Sequence, residues 1–494
     1  MSADAAAHLG QITRRSFVGA AVLAIGAGRA KSALGRPTVR LSVKLDYRGR
    51  RVPAPELEAA LAEAARSGAT VLIDGVVDFA GLLRLPAECS MVGTSFEESI
   101  LRHDGVGPAI EVTGPCDLDG FTVDGGRTTT DRTRSQPGSL VAIYGPGGRS
   151  SARLAGVKIE TLRVTNTNCS AALTLANLAG LDAGRLEFES CWGNALLAFG
   201  LGQSSSIAEV SAVDVGNTAK SGARQGSAVA IFAERDPNKS PGKWYRPAGE
   251  AETADLHFGL VRCRSMTDTG VYVHGYPDGA SVARVTFDEV DVSRAGKDGF
   301  KIRYHVQQVR AKKVTVSQVA LRGVSIEDAQ QVMIDSLDIS GVGYDIAPDA
   351  GLSRVWSEQE TLNQSIMAQP GGMLILRSRN VEIPSVKISG VSKSPLSRKY
   401  GVGLQVVDSD GVTIKASLSD YQGPALFISN TQGSYIDITS SEAREINKDI
   451  VAHSMENASR PTNVLYRNAE FLGRSEYREG ADLSGLQVKL KVRN

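Results

Sequence analysis

Five side chains able to hold an anion and move a proton recur at matching places in three successive short segments. Tyr272 and His274 lie in GVYVHG from Gly270, Lys301 and Arg303 in GFKIRYH from Gly299, and Glu327 in GVSIED from Gly323. In each segment they alternate with apolar residues (Val271/Val273, Phe300/Ile302, Val324/Ile326), the period-two pattern of a strand with one buried face. Successive side chains of a strand point to opposite faces, so the five polar residues share the outward one. Neighbouring strands lie about 4.8 Å apart, so three stacked segments would gather the five into one water-facing patch that a sugar or two could cover. His305 follows one alternation after Arg303, and Glu234, Arg235 and Asp236 follow the strand that begins at Ser227.

These residue types suit elimination from a uronic acid. A cation must offset the carboxylate so that the adjacent C–H becomes acidic, a base must take the proton, and an acid assists the departing sugar oxygen. Lys301, Arg303 and Arg377 are the carboxylate partners in this reading, Arg303 being suited to bidentate pairing. His274 or Tyr272 is the base or acid, and Lys301 is an alternative base where its neighbours desolvate it. Glycoside hydrolysis remains open. It needs two carboxylates, about 5 Å apart for retention or 6.5–9.5 Å for inversion. Glu327 and Asp328 are adjacent and face opposite ways, while Glu234 or Asp236 with Glu327 spans several strands. Uronate epimerisation, glycan binding without catalysis and a structural envelope role also remain open, because exposed faces of stacked strands carry polar ladders in any case.

No cofactor is required by this chemistry. Asp288, Glu289 and Asp291 come nearest to a calcium site, and a solvated turn explains them better. No Cys-x-x-Cys and no His/Cys spacing of a zinc site occurs.

The elements that must position the patch repeat along the chain. Further copies of the strand read GMLILRS from Gly372, GLQVVD from Gly403 and GPALFIS from Gly423, with looser ones from Ala171, Ala195 and Ser227. Spacings of 29 and 24 residues between Gly270, Gly299 and Gly323 are those of a solenoid. Carried along the stack, the alternation makes Leu173/Leu175, Val229/Ile231, Leu374/Leu376, Leu404/Val406 and Leu426/Ile428 inward pairs. It sends Ile375 and Arg377 outward with the patch. Further strand segments follow each copy, such as RVTFDEVDV from Arg284 and KVTVSQVAL from Lys313, so a coil holds about three short strands. The glycines are expected to supply the positive φ of its tight corner. An antiparallel sandwich also gives many short strands, but not one strand–corner formula from about residue 100 to 440. The expected fold is all-β, a single-stranded right-handed parallel β-helix with an N-terminal capping α-helix.

The 494-residue chain carries a net charge of +1, which gives no argument for nucleic acid or a membrane surface. Thr13-Arg14-Arg15-Ser16-Phe17-Val18 and the apolar run to Ala27 resemble the bacterial twin-arginine export signal. Residues 1–35 are accordingly expected to be a signal peptide, and the mature protein to be periplasmic or extracellular. No other segment looks transmembrane. The solenoid is expected over 36–490, with an amphipathic cap at 53–68 whose Leu57, Ala60, Leu61 and Ala64 share a face. Inserted loops at about 233–257, carrying Trp244 and Tyr245, and about 341–372, carrying Tyr344 and Trp356, are placed to wall a groove beside the patch. A C-terminal cap is expected at about 440–494. The five cysteines read as small core residues, with a Cys169–Cys191 disulfide as the alternative.

With its export signal, cap and glycine-bounded coils, the chain resembles the pectin-lyase-like superfamily of right-handed parallel β-helix proteins over residues 40–490. In layout it is similar to twin-arginine-exported bacterial repeat proteins of that kind. The resemblance implies an acidic polysaccharide as partner, since enzymes of the superfamily mostly act on such polymers as lyases or hydrolyse glycosidic bonds. Others isomerise uronates or only bind, and some of the lyases use calcium. The polygalacturonase signatures are absent: Lys301-Ile302-Arg303 has the wrong order and no acidic partners. No catalytic role is carried over from the resemblance.

Overall fold

The computed structural model describes residues 51–105, 107–126, 136–145, 153–216, 226–233, 252–276, 281–343, 370–392, 401–423, 425–429 and 431–443, with the strands Ala21–Ala24, Thr38–Val43, Ile450–Ala452, Ser475–Tyr477 and Gln487–Arg493. Every strand pairing is parallel except that of Ala21–Ala24 with Thr38–Val43. Each coil hydrogen-bonds to the next in register, so a residue's neighbours above and below are its counterparts in adjacent coils. Val271 pairs with Phe300, Phe300 with Val324, Val324 with Met373 and Met373 with Leu404. The adjoining inward file is Val273, Ile302, Ile326, Ile375 and Val406, and both files are fully buried. Burying one such side chain contributes about 1.5–3 kcal/mol, and the core repeats that gain at every coil. Phe258 and Phe287 continue it as a stacked pair with centroids 5.2 Å apart, and Phe300 meets Phe287 edge-on at 5.5 Å.

One coil departs from the expected phase. In Gly371–Leu376 the inward residues are Met373 and Ile375, while Leu374 and Leu376 face outward and form a small apolar cluster with Val407 and Phe427. Met373-Leu374-Ile375-Leu376 is apolar throughout, so alternation carries no phase information there, and a slip of one residue exchanges the faces. Arg377 is thereby moved from the patch face to the corner beyond the strand.

The corners are not built as expected either. The positive φ recurs at the far end of each coil, in one register column of Asn166, Ser190, Asp214, Ser265, Arg294, Gln318, Gly341, Gly390 and Asp420. All nine φ values lie between 52° and 65°. Most are not glycine, so stacking holds a left-handed turn that costs a lone residue about 1–2 kcal/mol. Gly270, Gly299, Gly323, Gly372 and Gly403 have ordinary φ and are small for another reason. A Cβ on Gly299 would lie 2.2 Å from Val316 Cγ1 and 2.7 Å from the Gly323 carbonyl, and the other four are equally confined. They let the start of each coil press against the β-branched or leucine side chain across the core.

The helix Ala54–Arg66 buries Ala54, Leu57, Ala60, Leu61 and Ala64 against the first coils. The stack begins before Val71, with Thr38–Val43 parallel to Thr70–Ile73, and continues beyond Ile438. Ile450–Ala452 and Ser475–Tyr477 extend one sheet, and Gln487–Arg493 pairs with Tyr435–Ala443 as a further coil. The expected loops are narrower than drawn, since Thr253–Met266 and Gly371–Leu376 are strands. All five cysteines are buried and none is in a disulfide, so the Cys169–Cys191 alternative is not formed. The pair that stacks in register is Cys89–Cys116.

Gly299→Ala should destabilise the chain by about 1–3 kcal/mol, because its Cβ meets backbone that cannot yield. Gln318→Gly, which relieves a left-handed residue, should leave the thermal midpoint unchanged or raise it. Equal effects of the two substitutions would contradict this division between close packing and corner.

Candidate functional site

The outward face of the strands from Phe232 to Glu327 is held by the register described above. Tyr272 pairs with Lys301 and Lys301 with Ser325 in one column; Phe232, His274, Arg303 and Glu327 follow one another in the next. The five residues singled out in the sequence therefore stand side by side, but not freely in water.

Glu327 has no exposed surface. Its Oε1 accepts the Ser325 hydroxyl at 2.7 Å and lies 3.3 Å from Lys301 Nζ and 3.8 Å from Arg322 Nη1. Its Oε2 lies 3.0 Å from Arg303 Nε, a charge contact without the alignment of a hydrogen bond. Lys301, whose side chain is 14% exposed, also donates to the buried Asp298 at 2.9 Å. Burial alone would raise the Glu327 pKa, but Lys301, Arg303 and Arg322 outweigh it and hold the carboxyl below its ordinary value. Burial alone would lower the Lys301 pKa, but Asp298 and Glu327 outweigh it and hold the ammonium above its own. The neighbouring carboxylates thus favour the Lys301 ammonium, which counts against Lys301 as the base. Glu327 is locked as an anion and anchors the cations.

Above this charged floor stand Tyr272 and His274. The Tyr272 hydroxyl is 2.8 Å from His274 Nδ1. Burial pushes the Tyr272 phenol up to about 12, against the pull of Lys301 and Arg303. The His274 ring sits among Phe232, Tyr272, Tyr276 and Tyr304, with centroid distances of 5.3, 5.0, 4.8 and 5.4 Å. Arg303 lies over the Tyr304 ring at 4.2 Å and bonds its hydroxyl. With 27% of its side chain exposed, Arg303 is the more accessible of the two patch cations.

The other candidates fall elsewhere. Arg377 makes a bidentate pair with Asp328, at 2.6 and 2.8 Å, outside the patch. His305 is exposed at a left-handed corner residue. Glu234, Arg235, Trp244 and Tyr245 lie outside the described residues, as do Asp236, Tyr344 and Trp356. Two of the three carboxylates considered for calcium are tied to lysines of the next coil, Asp288 to Lys312 at 2.8 Å and Glu289 to Lys313 at 2.7 Å. Among the described residues no group of three potential ligands is arranged to hold a metal ion. Sequence reasoning overlooked Asp298, Arg322, Tyr276 and Tyr304, which stand at strand starts, just past a strand or at a register shift, outside the regular alternation. Two of them had a legible signal: Asp298 and Arg322 each directly precede a coil glycine.

The sequence matches no family profile and no curated protein. Among solved structures it is similar to the pre-mature gene product 12 of bacteriophage phi29, at 14% identity and a TM-score of 0.50, over 86% of this chain and 56% of that one. The chain thus spans little more than half of that protein. It is also similar to the A-module of the mannuronan C-5 epimerase AlgE6 of Azotobacter vinelandii, at 14% identity, a TM-score of 0.42, and 89% and 95% coverage of the two chains. A third is the catalytic unit of the GH87 alpha-1,3-glucanase of Streptomyces thermodiastaticus, at 11% identity, a TM-score of 0.43, and 90% and 69% coverage. The fold is a right-handed parallel β-helix. At these identities the likeness is one of fold alone.

Glu327→Gln keeps the shape of the side chain but leaves three cations short of a counter-charge, and should cost about 3–5 kcal/mol in denaturant unfolding. The folded Glu327 pKa lies below the ordinary 4.5. Its contribution is therefore complete above that pH and is lost as pH falls through the folded value. Acidification below pH 4.5 should weaken the wild type more steeply than the Gln variant. Parallel acid profiles would remove Glu327 from this role.

Proposed function

We propose that the protein acts on a uronic-acid-containing polysaccharide by β-elimination. The observation that carries the reading is the Tyr272–His274 hydrogen bond standing over a floor of fixed cations. The substrate carboxylate meets the exposed part of the Arg303 guanidinium, with Lys301 behind it, and this lowers the cost of the carbanion-like transition state. The proton beside the carboxylate passes to the Tyr272 oxygen while the phenol proton moves to His274 Nδ1. The electron pair left behind forms the carbon–carbon double bond and expels the 4-linked sugar oxygen, which takes a proton back through the same pair. A phenol with a raised pKa suits this relay, because it neither loses its proton at rest nor holds a second one.

Hydrolysis has less support at this site. Asp298 and Glu327 are both buried and both bound to Lys301, so neither is available as the acid or as the base for water. Proton return to the carbon, as in an epimerase, needs the same groups and is separated from elimination only by its product. The Thr13–Val18 pattern adds that the protein meets its polymer outside the cytoplasm. Among the described residues no helix is long and apolar enough to cross a membrane.

Incubation with a panel of uronate polysaccharides should produce the ultraviolet absorbance of an unsaturated uronate together with new chain ends. Tyr272→Phe should lower kcat by about 100-fold or more with little change in the melting temperature. New reducing ends without absorbance would replace elimination by hydrolysis, and full activity in Tyr272→Phe would remove the relay.

A further inference from the structure

A second feature lies on another part of the coil surface and belongs to earlier coils. Ile159, Ala183, Ile207, Phe258 and Phe287 are one register file, so the residues after them also follow one another along the axis: Glu160, Gly184, Ala208, Gly259 and Asp288. Three minimal side chains in succession between two carboxylates leave an open trough of about 390 Å³, within the range of small-ligand sites. The preceding column, with Asp182, Ser206 and His257, forms one wall.

Two of the small residues are imposed by packing. A Cβ on Gly184 would lie 2.3 Å from the Glu160 carbonyl oxygen, and one on Gly259 2.4 Å from that of Ala208. Ala208 is different, because its side chain is exposed and a longer one would only fill the trough. The polar rim is largely neutralised without being blocked. Glu160 Oε2 lies 3.3 Å from Lys158, while Asp288 meets Lys312 at 2.8 Å through Oδ1 and faces His257 Nε2 at 3.6 Å through Oδ2, so Glu160 keeps an oxygen outside its ion pair and Asp288 joins the rim to the His257 wall. His257 is oriented by Thr286, at 3.0 Å from Nδ1. Asp182 has no ion-pair partner among the described residues.

We infer that this trough is a binding site for a neutral oligosaccharide of two or three units lying along the solenoid axis. Hydroxyl groups are the donors that Glu160, Asp182, Ser206 and Asp288 can accept. The coil repeat of about 4.8 Å is close to the length of a pyranose ring, so successive sugars meet successive coils. Lys158 and Lys312 offset Glu160 and Asp288, so the trough presents no excess of cations to a polyanion; it does not duplicate the cationic patch, and its occupancy does not depend on the activity proposed there.

The test is isothermal titration of the full chain with cellotriose, maltotriose, laminaritriose and xylotriose, with spermidine as the cationic control. At least one trisaccharide should bind. Ala208→Trp, which fills the trough, should weaken that binding about tenfold or more with an unchanged melting temperature, and Asp182→Asn should weaken it less. Tyr272→Phe should leave it unaltered. Absence of binding by all four sugars, equal binding by Ala208→Trp, loss of binding in Tyr272→Phe, or binding of spermidine alone would each overturn the inference.

Discussion

In-register hydrogen bonding between successive coils is the constraint from which the rest of this structure follows. Once Val271 is paired with Phe300 and Phe300 with Val324, every side chain has a predetermined neighbour above and below. An apolar residue repeated at one position becomes a continuous core file, and a charged residue becomes part of a ladder. The same constraint supports backbone that would be poor in isolation. Nine left-handed corner residues, seven of them not glycine, are tolerated because each is clamped between its counterparts.

Stacking also explains how a charge cluster can be kept so dry. Glu327 is fully buried on the outward side of its strand, among Lys301, Arg303 and Arg322. A lone carboxylate there would be prohibitively desolvated, and so would any one of the cations. The register removes the difficulty by presenting each charge with its partners at fixed distance, so little is lost in ordering them. The result is a floor in which Lys301 and Glu327 each favour the charged form of the other. In the reading proposed above, moving protons falls to Tyr272 and His274, which sit on the neighbouring coil in register with Lys301 and Arg303.

The fold was legible because apolar alternation and glycine spacing repeat together, and neither signal alone would have distinguished a solenoid from a sandwich. Legibility ended where one of the two signals became uniform. Met373 to Leu376 is apolar at every position, so its phase was set by packing against Val324 and Ile326 and not by its own pattern. The role of the glycines was misread for a related reason. A recurrent glycine signals either positive φ or close approach, and only the nearness of the Val316 and Ile339 side chains decides for the second. The site was half legible. Lys301, Arg303 and Glu327 were found together from the alternation, but their burial was not, because alternation reports which face a side chain takes and not what covers that face. Asp298 and Arg322, just before the strand alternation begins, turned a solvent-facing patch into a closed network.

The two proposed sites illustrate what this architecture can and cannot vary independently. A substitution in an inward file disturbs the coils on either side, so the core evolves as a unit. A substitution in an outward file changes one rung of one face and leaves the backbone where it was. The patch between Phe232 and Glu327 and the trough between Glu160 and Asp288 overlap in the coils they use, yet one is floored by cations and the other rimmed by carboxylates. They differ because they lie on different strands of the coil, so each file takes its side chains from separate sequence positions. A polymer bound by its charge on one face and a neutral chain held by its hydroxyl groups on another would then be brought to a single rigid rod, with the spacing between them set by the coil count and not by any flexible linker.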